Sequence, residues 1–412
     1  MFKTIGIIGL GYVGLPLAVE FSKVKDVIGF DLDIKRLEEL GCDEDSNRDI
    51  TPSQIRNAAI FLTHKIEDLA KVDLFIITVP TPVDSDNKPD LSLVMSATDM
   101  VGKLIKKGTM VVYESTMAPG TTRGVCSKRL EEISGLALNK EFKVGFSPER
   151  INPGDSEHSL TDVVKIVSGS DKEALSIIGD LYEKILGDKV YRAPSMEIAE
   201  ASKILENVQR DVNIALVNEV SRLLDKLKIS SKEVLKAAST KWNFASYKPG
   251  LVGGHCVGVD PYYLLNLAEN NKIRLPVTSA ARAMNESQVP YILKKIEKHL
   301  KGKNPRSVVI NILGATFKEN CPDTRNSKSL ELASLLKEKK YRVRIYDPYL
   351  EDSPNDVCQA DVVLFTVAHE EHSGIREEDF KEISKINSLI IDIPGMLDRD
   401  MVRGSGRKYW SL

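Results

Sequence analysis

Gly9-Leu10-Gly11-Tyr12-Val13-Gly14 forms a G-x-G-x-x-G between an apolar, strand-like run and a helix-like one. In a turn of this kind the first glycine allows a tight reversal, the second leaves room for a pyrophosphate, and the third lets helix pack on strand. The phosphates then meet unpaired N–H groups at the helix N-terminus. The pattern alone is weak, but Asp31 answers it at the end of the next apolar run, at the spacing such sites use. A carboxylate there holds ribose hydroxyls and repels a 2′-phosphate, so NAD is expected over NADP. The alternative is a glycine-rich turn with no ligand. Arg36 either flanks the adenine end or is a solvated helix residue.

The surrounding pattern predicts the fold class. IGIIGLG (5–11), DVIGFD (26–31), LFIITVP (74–80), MVVYEST (110–116) and KVGFSPE (143–149) are short, Val/Ile-rich runs that read as strands of a buried parallel sheet. Helical stretches alternate with them, among them IKRLEELG and LSLVMSATDMVGKLIKKG, with Gly108 as the second one's C-cap candidate. From about Ser195, Ile204, Val208, Val212, Leu216, Val220 and Leu224 recur every fourth residue, predicting one amphipathic helix of about 30 residues. SVVINILGAT (307–316), YRVRIYDP (341–348), DVVLFTVA (361–368) and SLIIDIPG (388–395) then restore the strand pattern. The expected architecture is α/β, with two Rossmann-like doubly wound domains joined by a long central helix. The divisions are 1–195, 196–300 and 301–412, with the helix a candidate homodimer spine.

Composition narrows the function. The chain's 412 residues exceed one core. Its 57 basic and 59 acidic residues, net −2, give no reason to expect nucleic acid or an anionic membrane as partner. No apolar run reaches the roughly 20 residues that span a bilayer, and MFKTIGIIGLGYVG reads as a strand rather than a signal peptide. Cys42, Cys126, Cys256, Cys321 and Cys358 contain no C-x-x-C pair, which argues against a disulfide framework or metal site and for reduced thiols in a cytoplasm.

Cys256 sits in PGLVGGHCVGVDPYY among Gly250, Gly253, Gly254 and Gly258, with Asp260 four residues on. Such a loop lets backbone N–H groups reach a bound oxygen, and a thiolate there would be a nucleophile. Taken alone, such a residue is more often a small buried hydrophobe, and the other four cysteines keep that reading. His255 is a candidate base, with a packing or hydrogen-bonding role as the alternative. Lys203 and Asn207 share one helix face and suit stabilisation of an alkoxide, or are a solvated surface. Lys318 and Arg325 are surface charge or phosphate ligands.

Together, VPTP (79–82), EST (114–116), SPER (147–150), AEASKILEN (199–207), GGHCVGVD (253–260) and FKENCPDTR (317–325) resemble the nucleotide-sugar 6-dehydrogenases, the family of UDP-glucose and UDP-N-acetylhexosamine dehydrogenases. The resemblance runs from GLGYVG to YDP at 346–348. It implies oxidation of a C6 alcohol to a carboxylate with two NAD molecules in turn, feeding surface polysaccharide synthesis. An aldehyde is captured by the cysteine, oxidised to a thioester and hydrolysed. Carried onto this chain, Cys256 is the nucleophile, Lys203 and Asn207 stabilise oxyanions, Asp260 supports the lysine and a water, and Thr116 aids proton transfer. The resemblance also places Tyr12, Val13, Pro80, Thr81, Ser115, Thr116 and Arg325 near the cofactor. Glu149, Arg150, Ile151, Asn152, Tyr247, Gly250, Gly253 and Lys318 fall at the UDP-sugar.

One departure matters: UDP-glucose dehydrogenases carry a second glutamate where this chain has Pro153. That residue, with VQRDVNIALVNE and KPGLVGGHC, resembles the branch acting on UDP-N-acetylglucosamine or UDP-N-acetylgalactosamine. UDP-N-acetylmannosamine and UDP-glucose are the alternatives. A single-hydride β-hydroxyacid or 6-phosphogluconate-type dehydrogenase would need no thiol, and a non-catalytic sensor would be expected to lose the thiol or the lysine.

Overall fold

The structure, a computed structural model, describes residues 2–151, 160–350, 353–354 and 357–412. Asn152 and Pro153 lie outside the described residues. The chain divides into two compact units, Met1–Glu206 with Tyr262–Ile273, and Asn207–Pro261 with Arg274–Leu412.

The first unit holds β1 (Thr4–Ile8), β2 (Asp26–Phe30), β3 (Ile60–Thr63), β4 (Leu74–Ile77), β5 (Met110–Tyr113), β6 (Lys143–Phe146), β7 (Lys165–Gly169) and β8 (Val190–Arg192). They form one sheet in the order β3-β2-β1-β4-β5-β6-β7-β8. Alternate residues feed two cores: Ile5, Ile7, Leu74 and Ile76 face one, and Ile8, Phe75, Ile77 and Val111 the other. Both faces are covered, which is why these strands read as continuous apolar runs. The sheet departs from the expected all-parallel arrangement at β7, which pairs antiparallel to β6.

The second unit holds β9 (Val309–Leu313), β10 (Arg342–Tyr346), β11 (Ala360–Phe365), β12 (Ser384–Asp392) and β13 (Lys408–Ser411), all parallel, in the order β10-β9-β11-β12-β13. β3, β7, β8 and β13 escaped the sequence reading. β3, β8 and β13 have only three or four residues, and β3 and β13 lack the buried apolar run that marks a central strand. The expected C-cap at Gly108 is also displaced. That helix ends at Gly102, and Gly108 (φ +86°) shapes the turn into β5, donating to Glu141 O at 2.7 Å.

The long helix is Met196–Leu227, 32 residues or about 48 Å. Its first part belongs to the first unit and its remainder to the second. The row expected to face inward does so only at first: Ile204 and Val208 are buried, whereas Leu216 and Val220 are exposed. Each step of four residues overshoots a turn by about 40°, so the row crosses to the opposite face within five steps. The face that stays buried carries Glu200, Lys203, Asn207, Asp211, Asn218 and Ser221. Polar side chains kept inside at helical spacing need partners, and those partners build the candidate site.

Candidate active site

In the first unit, the turn after β1 has the shape its glycines suggest. Gly9 adopts φ +96°, and a Cβ on Gly14 would stand 1.8 Å from Gly9 O, whereas Gly11 has open space. Asp31 Oδ2 accepts from Leu10 N at 2.7 Å and its Oδ1 from Asp33 N at 2.9 Å, so the carboxylate is oriented before any ribose arrives. Val13 sends its side chain into the core, leaving only backbone for a ligand. Arg36 is not solvated: it is buried, donates from Nε to Leu10 O at 3.0 Å and pairs with Asp45 at 2.7 Å, bracing the turn from behind. These residues fit a dinucleotide, with a hole only glycine can leave and a pre-aimed acceptor beside it.

Pro80 and Thr81 follow β4, Ser115 and Thr116 follow β5, and Glu149, Arg150 and Ile151 follow β6. All lie past the C-terminal ends of parallel strands, the edge where open α/β sheets bind ligands. Ser115 Oγ donates to Val79 O at 2.6 Å, and Tyr263 donates to Thr81 O at 3.0 Å. The Arg150 guanidinium pairs with Glu206 at 2.9 Å. Sequence reasoning missed Glu200, which is fully buried and accepts from Gly120 N and Thr122 N at 2.6 and 2.8 Å. Burial raises its pKa. It ties the helix bearing Lys203, itself buried, to the segment after β5.

In the second unit, Cys256 O accepts from Val259 N and Asp260 N at 3.0 and 2.8 Å, closing a turn that runs into the helix Asp260–Asn270. Asp260 is buried and accepts from Asn207 Nδ2 at 2.6 Å, so the amide one turn beyond Lys203 is fastened to the end of the cysteine loop. The loop's other end is clamped by Asn218, which accepts from Gly250 N at 2.8 Å and donates to Gly250 O at 3.1 Å. Arg282 joins buried Asp211 to Val257 O, at 2.6 and 3.4 Å. Asn218, Asp211 and Arg282 were not singled out from sequence; the polar residues within VQRDVNIALVNE were the available signal.

The segment 314–327 supports the same loop. A Cβ on Gly253 would lie 2.5 Å from Asn326 O, and one on Gly254 (φ +78°) 2.6 Å from Phe317. Asn326 Nδ2 donates to Gly254 O at 3.2 Å. His255 packs edge-on against Phe317, with ring centroids 5.5 Å apart, and its Nδ1 lies 3.6 Å from Asp323 Oδ2. Tyr247 donates to Gln209 Oε1 at 3.2 Å. Lys318 stands in this segment, its carbonyl accepting from Thr316 Oγ1 at 2.9 Å. Arg325 forks onto Asp323, 2.9 Å from Nε to Oδ2.

The sequence matches three domains described for the UDP-glucose/GDP-mannose dehydrogenase family: NAD binding at residues 3–186, central at 197–287 and UDP binding at 311–399. It is 43% identical to protein CapL of Staphylococcus aureus, covering 100% of both chains. It is 39% identical to a UDP-N-acetyl-D-glucosamine 6-dehydrogenase of Pseudomonas aeruginosa, covering 96% of this chain and 97% of that one. The structure of a UDP-D-ManNAc dehydrogenase from Pyrococcus horikoshii superimposes with a TM-score of 0.90 at 29% identity, covering 99% of each. The chain belongs to the UDP-glucose/GDP-mannose dehydrogenase family and is an NAD-dependent UDP-sugar dehydrogenase.

Proposed function

We propose that the protein oxidises C6 of UDP-N-acetylglucosamine or UDP-N-acetylgalactosamine to the carboxylate, with Cys256 as the covalent nucleophile. The observation that carries this is the Asn207–Asp260 hydrogen bond, 2.6 Å long and buried, which ties a helix amide to the cysteine loop. NAD, when bound by Gly9, Gly11, Gly14 and Asp31, supplies the hydride acceptor for each oxidation. Lys203 and Asn207 hold the C6 oxygen and stabilise its developing negative charge. The Cys256 sulfur adds to the C6 aldehyde, giving a thiohemiacetal whose oxidation leaves a thioester. Water then cleaves that thioester, returning the thiol and the uronate. Thr116 aids proton transfer, and Asp260 supports the lysine and a water. Glu149, Arg150, Ile151, Tyr247, Gly250, Gly253 and Lys318 line the UDP-sugar, and Tyr12, Pro80, Thr81, Ser115 and Arg325 complete the cofactor site.

The substrate assignment follows the 39% identical UDP-N-acetyl-D-glucosamine 6-dehydrogenase. UDP-N-acetylmannosamine is the second reading, favoured by the fold match to the Pyrococcus enzyme. Leu216, Val220, Leu223 and Leu227 leave an exposed apolar row on the long helix, which suits a homodimer spine. A nucleophilic cysteine outside any disulfide and an NAD supply suit a cytoplasmic site.

Steady-state kcat/KM for UDP-N-acetylglucosamine, UDP-N-acetylgalactosamine, UDP-N-acetylmannosamine and UDP-glucose, with NAD in excess, tests the substrate. A best rate with UDP-glucose overturns the branch while leaving the cysteine chemistry standing. Cys256→Ala should abolish uronate formation and keep UDP-sugar binding; acid formed at wild-type rate would remove the thioester.

A further inference from the structure

Three ionisable side chains and a phenol are sealed together at the ligand-binding edge of the first sheet. Glu114 directly follows β5, Glu149 stands three residues past β6, Lys165 opens β7, and Tyr182 comes from the helix Lys172–Leu186. The reversal of β7 brings the lysine there. β6 and β7 pair Gly145 with Gly169 and Phe146 with Ser168, and extending that antiparallel register by three more residues sets Glu149 opposite Lys165. A parallel strand would have left its first residue at the other edge.

Lys165 and Tyr182 are 0% exposed, Glu114 1% and Glu149 6%. Lys165 Nζ donates to Glu114 Oε2 at 2.5 Å and reaches Glu149 Oε2 at 3.4 Å, while Tyr182 donates to the other oxygen of Glu114. Glu149 Oε1 accepts from the amides of Arg150 and Ile151 at 2.6 and 2.5 Å. An ammonium sealed from water is costly, and persists only when carboxylates surround it at hydrogen-bonding range. Glu149 is thereby held from both sides, by its own loop's backbone and by a cation shared with a second carboxylate.

We propose that Lys165 is a positioning residue for Glu149, bridging it to Glu114 so that the carboxylate keeps one orientation at the sugar-nucleotide site. This rests on the reading that Glu149 lines that site. Glu114 sets the terms of the sharing. Burial first, with the Glu149 charge adding and Lys165 opposing, lifts its pKa to about 7. The groups facing it are Lys165, Glu149 and Tyr182. Below pH about 7 a protonated Glu114 leaves the ammonium to Glu149; above it the Glu114 carboxylate competes for the same charge.

The test uses the full-length enzyme with UDP-N-acetylglucosamine or whichever UDP-sugar proves best, following NADH. Lys165→Met should lower kcat/KM for the UDP-sugar by about 10–100-fold, the worth of a buried charge-assisted hydrogen bond, with KM for NAD nearly unchanged. Lys165→Arg, which keeps the charge, should recover much of that loss. Glu114→Gln should raise the ratio of variant to wild-type kcat/KM as pH climbs through about 7, since only the wild type gains a competing carboxylate there. A folded Lys165→Met enzyme with wild-type kcat/KM overturns the proposal; if that variant does not fold, a flat Glu114→Gln ratio does so instead. Glu149→Gln separates the two ways of failing. If it is impaired while Lys165→Met is not, the positioning role falls and the site reading stands; if it matches wild type, both fall.

Discussion

The turn after β1 and the turn after β9 are built on one hydrogen-bond plan. Gly9 and Gly314 adopt φ +96° and +101° and donate to Phe30 O and Tyr346 O, each at 2.8 Å. Leu10 N and Ala315 N donate to the aspartate ending the next strand, Asp31 at 2.7 Å and Asp347 at 2.5 Å. Thr78 just after β4 and Thr366 just after β11 close each turn, donating Oγ1 to Ile8 and Gly9 carbonyls in one unit and to Leu313 and Gly314 carbonyls in the other. What differs is the next step. The first unit starts its helix at Gly14, five residues after Gly9, on a contact only glycine tolerates. The second starts its helix at Lys328, 14 residues after Gly314. Its intervening loop is pinned by Ser327 Oγ to Ala315 O at 2.5 Å and supports Gly253 and Gly254 beside Cys256. The same strand frame thus belongs to the NAD-binding domain in one unit and braces the cysteine loop in the other.

The aspartates make the sharpest test. Asp347 is 2% exposed, accepts also from Thr316 N at 3.0 Å and meets His369 Nε2 at 3.1 Å. Asp347→Ala strands buried donors, so it should cost about 3 kcal/mol or more of stability, read by denaturant unfolding, with NAD affinity per folded molecule unchanged. Asp31 is only half-buried. Asp31→Ala should weaken NAD binding by about 10–150-fold, from loss of charge-assisted bonds worth about 1.5–3 kcal/mol, and narrow the preference over NADP. Equal effects of the two substitutions on NAD affinity would break the division of labour.

That division explains which parts of the molecule were legible in the sequence. Gly9, Gly11, Gly14 and Asp31 stand at the spacings a dinucleotide-binding turn uses, so the residues themselves point to a ligand. Gly314, Asp347 and Thr366 carry the same frame with no such spacing, and only the strand pattern around them could be read. The long helix misled for a related reason. Its apolar residues drew attention, yet the buried stripe carries Glu200, Lys203, Asn207, Asp211 and Asn218, and the partners of Glu200, Asn207, Asp211 and Asn218 lie far along the chain. Hydrophobic periodicity finds a face that packs on apolar groups; it cannot find one buried on hydrogen bonds.

The units should also differ in their response to acid. Burial alone would raise Asp347, but hydrogen bonds from His369 and from the Ala315, Tyr349 and Thr316 amides hold it at about 2, below its ordinary 3.8. A lowered carboxylate stabilises the fold above its ordinary value, and that contribution, about 2 kcal/mol, is lost as pH falls from about 4 to about 2. Glu114 has the opposite sign: raised from 4.5 to about 7 by burial, it favours the fold below pH 4.5 and loses that contribution as pH rises through 7. Hydrogen exchange of β9–β11 and β4–β6 amides, followed from pH 8 to 3, should show protection falling first in the second unit. Simultaneous loss would count against separate charge networks.

The smallest effect separates shared frame from separate use most cleanly. Thr78→Val and Thr366→Val each exchange a hydroxyl for a methyl of nearly equal volume and remove the same pair of donated bonds. Each should cost about 1 kcal/mol, lowering Tm by about 2–4 °C in a unit of this size. The backbone amides of both threonines still satisfy the strand-end carbonyls of Ile8 and Leu313, at 3.0 Å in each case, which keeps the cost modest. Gly9 O and Gly314 O, by contrast, lose the one bond these threonines donate to them. Gly9 O, however, is the atom against which Gly14 packs, so freeing it lets the glycine turn shift beneath the cofactor. Thr78→Val should therefore raise KM for NAD by several-fold, while Thr366→Val leaves it alone at the same loss of Tm. A rise in KM for NAD in both variants, in proportion to lost stability, would mean that the two frames respond as one and that geometry local to Gly14 is not what holds the dinucleotide.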